Sequence, residues 1–310
     1  MKNVDISFIT INYNSSHYTM QLLESIELNT LNIYYEIIVI DNNSNEEDFQ
    51  SLRNFINQKK NIQLIRNSIN SGFAGANMLG VNYAKGKYYF FINNDCKLLN
   101  NVAHILKNFL DFNTDVSLAT VKVLDEKGNY SSSYKQFPHL VKQLLGNSVQ
   151  RIVSKNNFPS NKINLQNNSQ VEVVSGACMF FDADIFCKIG GFDTIFFLYC
   201  EEEDISKRVW DYGKKVFFVP EGEVYHKAGA STRQSLLMEQ EFYISYYHLL
   251  DKHYSIIGKL LLKFALFFKL FFRIFKKKNG YKIFLLMING FSQRNSLRYL
   301  QSMKRVHYDS

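Results

Sequence analysis

ISFITINYN (residues 6–14) and EIIVIDNNS (residues 36–44) are two short β-branched runs that each pass directly into polar residues. An amphipathic stretch of helical spacing lies between them, around residues 18–28, so the chain opens as a β-α-β unit. A third strand is predicted over residues 62–65, a helix over about 75–84 and a fourth strand over 88–92, which continues the alternation. Right-handed crossovers then make the sheet parallel. Parallel sheets bind ligands in the crevice beyond the carboxyl ends of their strands. Three of these strands are followed at once by polar residues: Asn12 to Asn14, Asp41 to Ser44 and Asn93 to Asp95. The functional site is expected there.

Residues 125–170 are rich in Asn, Ser and Lys and hold Pro138 and Pro159, which predicts a loop-bearing insertion. Regular patterning returns over 171–181, followed by a turn at Gly190 and Gly191, a helix near 203–211 and a strand over 215–219 stopped by Pro220. At 310 residues, one large domain with an appendage or two domains is the expectation. The division predicted is a domain over 1–235, with a nucleotide-binding half at 1–100 and an acceptor or catalytic half at 171–232, and a helical region over 236–310.

Hydrophobic residues make up 46% of the chain and charged residues 21%, which excludes a disordered protein. The four cysteines form no CxxC pair and sit in apolar or mixed runs, as reduced thiols do. The start, MKNVDISFITINYN, interrupts with Asp and Asn the apolar core that a secretory signal needs, so a cytoplasmic location is expected. The net charge of +8 has a definite place: residues 252–308 hold 13 of the 36 Lys and Arg and no acid, leaving 23 basic against 27 acidic residues in 1–251. The body of the chain is therefore not expected to bind nucleic acid.

In the tail, IIGKLLLKFALFFKLFFRIFKKK is too interrupted by cations to span a bilayer. On a helix, Lys259, Lys263, Lys269 and Arg273 fall within an arc of about 120°, opposite a wide Leu and Phe face. Such a helix suits the headgroup region of an anionic leaflet; the alternative is packing on its own domain.

Three kinds of group stand at the strand ends. Asp41 can accept a hydrogen bond from the N3 donor of uracil or thymine, with Thr10 and Asn12 lining the same pocket, or can make an Asx turn. Asp95, in FFINNDC (residues 90–96), offers a hard oxygen ligand for Mg²⁺ or Mn²⁺ beside a diphosphate. His226, closing VPEGEVYH (residues 219–226), can add a nitrogen ligand or contact the phosphates, or be structural. Among Glu201, Glu202, Glu203 and Asp204, some charge serves a helix N-terminus and an i,i+4 pair from Asp204 to Arg208. One of Glu201 and Glu202, raised in pKa by its neighbours and by walls such as Phe196 and Phe197, is a candidate general base. GFAGANMLG lacks GxGxxG spacing, and no P-loop, GxSxG, HExxH or paired-cysteine zinc motif occurs.

Six ordered stretches, ITINYNSS (9–16), IIVIDNNS (37–44), NSINSGFAGANMLG (67–80), FFINNDC (90–96), residues 173–208 and VPEGEVYHKAGAST (219–232), resemble the family-2 glycosyltransferases of GT-A fold, in particular their bacterial rhamnosyltransferase-like branch. The resemblance implies an α/β nucleotide-diphospho-sugar-binding fold, a mostly parallel sheet flanked by helices. It implies an inverting transfer from a nucleoside diphosphate sugar, dTDP-rhamnose or a UDP-hexose, to a saccharide acceptor in surface polysaccharide synthesis, with a divalent cation, Mg²⁺ or Mn²⁺, as cofactor. Carried over by position, Thr10, Asn12, Asn14, Asp41, Asn43, Asn70, Gly72, Asn77 and Asn94 bind the nucleotide, Asp95 and His226 the metal, and Glu202 or Glu201 takes the proton. Two positions depart from the pattern: Asn93 stands where a full DxD has its first acid, and the usual Glu-Asp pair reads Glu201-Glu202. Joined to the tail, this gives a lipid-linked acceptor reached from the inner face of an anionic membrane. The competing reading is a nucleotide-sugar-binding or scaffold protein of the same fold that has lost turnover.

Overall fold

The structure is a computed structural model that describes residues 4–138, 158–160, 163–227, 235–276 and 279–303. Its strands are β1 (Ile6–Asn12), β2 (Tyr35–Asp41), β3 (Ile62–Arg66), β4 (Tyr88–Ile92), β5 (Cys96–Leu98) and β6 (Val116–Leu124), then the two-residue β7 (Tyr130–Ser131), β8 (Tyr134–Lys135), β9 (Ser169–Gln170) and β10 (Val173–Val174), and finally β11 (Cys178–Asp182) and β12 (Lys215–His226). The main sheet runs β3-β2-β1-β4-β11-β6-β12-β5. β1 pairs in parallel with β2 and β4, while β11 and β5 run antiparallel to their neighbours. β1 and β4 are buried along almost their whole length, as strands covered on both faces must be, and this is why they read as continuous apolar runs.

Helices α1 (Ser16–Asn29), α2 (Glu46–Ile56) and α4 (Val102–Phe112) cover one face of the sheet through Leu22, Ile26, Leu52 and Leu106. Helices α3 (Gly72–Val81), α5 (Ala183–Lys188) and α6 (Glu201–Asp211) cover the other through Ala74, Phe186, Ile205 and Val209. The expected fold class is the one observed. α3 begins three residues earlier than its periodicity suggests, at Gly72, and α6 two residues earlier, at Glu201. Pro220 does not stop β12: the strand continues to His226 across a register irregularity between Val219 and Glu223, where a residue without an N–H is tolerated. Of the predicted insertion over 125–170, residues 139–157 and 161–162 lie outside the described residues; on either side of them β7 and β9 join the main sheet, on β6 and β12, and β8 pairs with β10 in a separate two-stranded sheet.

Among the described residues the C-terminal region holds three α-helices, α7 (Leu236–His253), α8 (Ile256–Ile274) and α9 (Gly280–Ile288). They share an apolar core with Phe196 and Cys200 of the body. A polar tie runs beside that core. The fully buried Asp204 of α6 accepts from Arg208 Nε at 3.0 Å, Lys252 Nζ lies 2.7 Å from it, and His253 Nε2 is hydrogen-bonded to it at 2.7 Å. Burial pushes the Asp204 carboxyl up, but His253, Arg208 and Lys252 outweigh burial and hold it down at about 2. A group depressed this far contributes roughly 2 kcal/mol above its unfolded value near 4, and loses that contribution as pH falls through about 2. Asp204→Asn is expected to lose about 2 kcal/mol or more already at pH 7, since Arg208 and His253 lose their carboxylate partner while Lys252 keeps Asp193. Urea unfolding midpoints at pH 7 and pH 3 for the two proteins measure this.

Candidate active site

The chain leaves β1 for β2 on one side and returns to β4 on the other, so the crevice opens where β1 and β4 end. A cleft of about 360 Å³ lies there, lined from the strand ends by Tyr13, Asn42, Asn93, Asn94 and Asp95, and from the later segments by Gly176, Tyr199, Glu201, Glu202 and His226. Asn70, Gly72 and Asn77 complete its wall on the α3 side.

Residues expected to bind the nucleotide divide into two groups. Asn70, Gly72, Asn77 and Asn94 line the cleft; Thr10, Asn12, Asn14, Asp41 and Asn43 do not. Register explains the second group: Asn12 pairs with Asp41 across β1 and β2, so the two side chains meet and satisfy each other. Asn12 Nδ2 donates to Asp41 Oδ1 at 3.0 Å and to Asp48 Oδ2 at 2.8 Å, and Asp41 Oδ2 accepts from the Ser44 N–H at 3.2 Å. Asp41 is fully buried, and burial raises its pKa against these bonds and the Arg66 charge. In this arrangement Asp41 makes the Asx-type turn and holds the loop. Asn14 and Asn43 take left-handed backbone, φ 50° and 72°, which suits asparagine in a tight loop. Asn43 Nδ2 donates to the Ser302 carbonyl at 3.0 Å. Thr10 is buried beneath them.

The α3 side is an asparagine lattice. Asn70 Oδ1 accepts from Asn42 Nδ2 at 2.8 Å and from the Gly72 N–H at 2.9 Å, and Asn94 Nδ2 donates to Ser15 Oγ at 2.7 Å. These short amides fix the loops without bringing charge into the cleft.

Asp95 and His226 come together: Nε2 lies 3.1 Å from Oδ1, although 131 positions separate them, because β12 pairs with β5 and sets His226 opposite Cys96. Asp95, Cys96 and His226 place their ligand atoms within 4.8 Å of one another. Cys96 is the poor member of this set. Its thiol is pushed well up by burial and lies 3.6 Å from the Ala177 carbonyl. The donors that remain, one carboxylate and one imidazole facing the cleft, fit a borderline divalent cation whose other ligands arrive with a diphosphate.

Opposite stands the first turn of α6. Tyr199 and Cys200 both have positive φ, 72° and 67°, a strained lead-in held by the fully buried Phe196 and by the Asp204 N–H bond to the Cys200 carbonyl. It aims Glu201 and Glu202 into the cleft. Burial, then the Glu202 charge, pushes Glu201 well above the usual carboxylate range. For Glu202, burial acts in the same direction but the Lys135 ammonium, ion-paired with Oε1, overrides it and leaves the pKa lowered. Lys135 also reaches Glu203 Oε1 at 3.3 Å, and Glu203 is raised to about 7 by burial and by Glu202. The expectation that neighbours raise the base therefore holds for Glu201 and not for Glu202. Sequence reasoning missed Lys135 because it lies in the stretch read as a loop; the alternating YSSSYK (residues 130–135) was the available signal. It also missed the exposed ring of Tyr13 at the cleft wall.

Residues 7–190, more than half of the chain, match the model of the glycosyl transferase family 2, and the chain belongs to that family. Rhamnosyltransferase WbbL of Escherichia coli is 25% identical over 241 residues, 74% of this chain and 85% of that protein. The N-acetylglucosaminyl-diphospho-decaprenol L-rhamnosyltransferase of Mycobacterium tuberculosis is 36% identical over 59 residues, 19% of each chain. Other curated relatives match over less than half of their own length. The crystal structure of GalNAc-T7 with UDP, GalNAc and Mn²⁺ superposes with a TM-score of 0.61 at 18% identity, covering 81% of this chain and 48% of that one. The fold is of GT-A type, as the resemblance implied.

Gly72, in the cleft wall, is closely packed against Phe197. At its φ of 74° an added methyl would lie 2.1 Å from the Phe197 carbonyl oxygen. Gly72→Ala is expected to cost about 2 kcal/mol or more, from backbone strain and displacement of Phe197 together, measured by equilibrium unfolding.

Proposed function

We propose that the chain is an inverting glycosyltransferase that moves a sugar from a nucleoside diphosphate to a saccharide acceptor. The observation that carries this reading is one cleft at the sheet's crossover with Asp95 and His226 on one wall and Glu202 on the other. Asp95 and His226 would hold a divalent cation, which when bound offsets the charge that builds on the departing diphosphate. The asparagine lattice and Tyr13 line the donor's place. Glu202 is the general base: the Lys135 pair favours its ionised form, while burial and the Glu202 charge favour the protonated form of Glu201. Glu202 takes the proton from the acceptor hydroxyl, that oxygen bonds to the anomeric carbon, and the bond to the diphosphate breaks in the same displacement, which inverts the centre.

A rhamnosyl donor linked to dTDP is the first to test, on the likeness to the two rhamnosyltransferases, with UDP-hexoses next. A lipid-linked acceptor in surface polysaccharide synthesis is supported by the mycobacterial relative, whose name carries a diphospho-decaprenol, and by α8. No helix among the described residues is long and apolar enough to cross a membrane. Yet Ile256, Leu260, Phe264, Phe268 and Phe272 recur every fourth residue along α8, each more than two-fifths exposed, while Leu262, Leu266 and Leu270 face the protein core. Part of the cationic arc is turned toward acids of α7. Lys263 pairs with Asp251 and Arg273 with Glu239 of α7, and Lys269 and Lys276 are exposed beside the aromatic strip. An apolar strip of this size, flanked by the exposed Lys269 and Lys276, suits an anionic leaflet at the cytoplasmic face.

Thermal stabilisation by dTDP-rhamnose and UDP-glucose, with and without Mn²⁺, identifies the donor. The Mn²⁺-dependent part is expected to vanish in Asp95→Ala and His226→Ala and to persist in Glu202→Gln, whose transfer rate falls by about 10² to 10⁴. Full transfer by Glu202→Gln would remove the base assignment, and stabilisation without transfer in the wild type would leave a binding protein. In co-sedimentation with phosphatidylglycerol vesicles, changing Phe264, Phe268 and Phe272 together to Ser is expected to weaken binding at least about tenfold. Unchanged sedimentation would remove the membrane part of the reading.

A further inference from the structure

The first turn of α6 presents three consecutive glutamates to one small region, and carboxylates this close cannot all be ionised. Each of the three keeps a buried oxygen, Oε2, with no hydrogen-bond partner among the described residues. One cation from elsewhere in the fold separates them. Lys135 comes from β8, a two-residue strand paired with β10, and its Nζ contacts Oε1 of Glu202 and, at 3.3 Å, Oε1 of Glu203. Among the described residues Lys135 makes no hydrogen bond or ion pair to Glu201 and acts on it only through its charge, which burial and Glu202 outweigh. Lys135 itself does not line the cleft, whereas Glu201 and Glu202 do.

We propose that Lys135 is the positioning residue that makes Glu202, through its Oε2 atom, the proton acceptor of the transfer. This rests on the glycosyltransferase reading with Glu202 as base. Lys135 occupies Oε1 of Glu202, which fixes the rotamer and leaves Oε2 as the oxygen with no hydrogen-bond partner among the described residues; both oxygens lie beside Gly176 of the cleft wall, where a methyl would come 3.7 Å from Oε1 and 3.9 Å from Oε2. It also supplies the counter-charge that lets one acid of the trio stay ionised in a buried site. The titratable and charged groups facing Glu202 are Glu201, Glu203, Cys200 and Tyr199 on α6 and its lead-in, and Lys135 from β8; Tyr254, beyond α7, faces Glu203. Of these Lys135 alone brings positive charge. The base is therefore chosen by a contact between a segment near residue 135 and one near residue 202, and not by the order of the acids in the motif.

The sign of the effect follows directly. Without Lys135 the carboxyl of Glu202 titrates higher, so the acid limb of the rate profile moves up in pH. An opposite charge at this range displaces a carboxyl by roughly one to three pH units. The experiment uses the full chain labelled with ¹³C-glutamate, the Glu202 carboxyl being assigned by its absence in Glu202→Gln. Glu202 is expected to titrate one to three units higher in Lys135→Met than in the wild type and to return in Lys135→Arg. In parallel, the pH profile of Mn²⁺-supported hydrolysis of dTDP-rhamnose or UDP-glucose, with water as acceptor, is expected to shift its acid limb by the same amount. The donor KM should stay within about twofold and the rate should recover at high pH. Identical Glu202 titration in wild type and Lys135→Met would overturn the proposal, as would a rate loss in folded Lys135→Met that higher pH does not restore. Should Lys135→Met fail to fold, Lys135→Gln and Lys135→Arg give the same comparison. Failure of the base assignment shows separately, as undiminished turnover by Glu202→Gln with the titration difference intact, and it takes the catalytic role from Lys135 with it.

Discussion

Every backbone hydrogen bond of a central parallel strand is spent on its two neighbours, so the polar groups available for chemistry are those just past the strand's end. β1 stands between β2 and β4, and the chain changes direction across it. Register then does the rest: pairing that sets Asn12 level with Asp41 and brings Asn93 to Asp95 out beside them determines which side chains meet and which are left facing the cleft. The asparagines of these turns are explained by that requirement. They bond to backbone and to each other in cramped loops, tolerate positive φ, and add no charge next to a site for an anionic ligand.

Electrostatics is distributed by tertiary contact. The acids at the start of α6 sit in one helical turn, yet they end in different states: Asp204 is tied to cations of α6 and α7 and held down, Glu202 is held down by Lys135, and Glu201 and Glu203 are pushed up. The helix N-terminus favours negative charge at all four. It cannot distinguish among them, and the distinction comes from β8 and α7.

The same logic governs the tail. A helical wheel separates cations from apolar residues on α8 but says nothing about which side meets the protein. α8 proves to have three sides: Leu262, Leu266 and Leu270 in the core, Lys263 and Arg273 against the acids of α7, and the phenylalanine strip outside. The acids that recruit those cations, Glu239 and Asp251, lie in a helix whose relation to α8 has no local signature.

The fold class was legible in the sequence because strand and helix periodicities are local, and because strands buried on both faces leave unbroken apolar runs such as EIIVI and YYFFI. The placing of polar residues at the strand ends was legible too, and with it the choice of Asp95, His226, Glu201 and Glu202 as candidates. What only the tertiary structure decided is how these candidates are partnered. Asp41 and Asn12 turn inward because parallel register sets them side by side; Asp95 meets His226 because β12 runs back along β5; Lys135 meets Glu202 because a short strand folds over α6. Periodicity records which face of an element is buried. It carries no record of which distant residue completes a charge or a hydrogen bond, since that depends on distances between segments far apart in the chain.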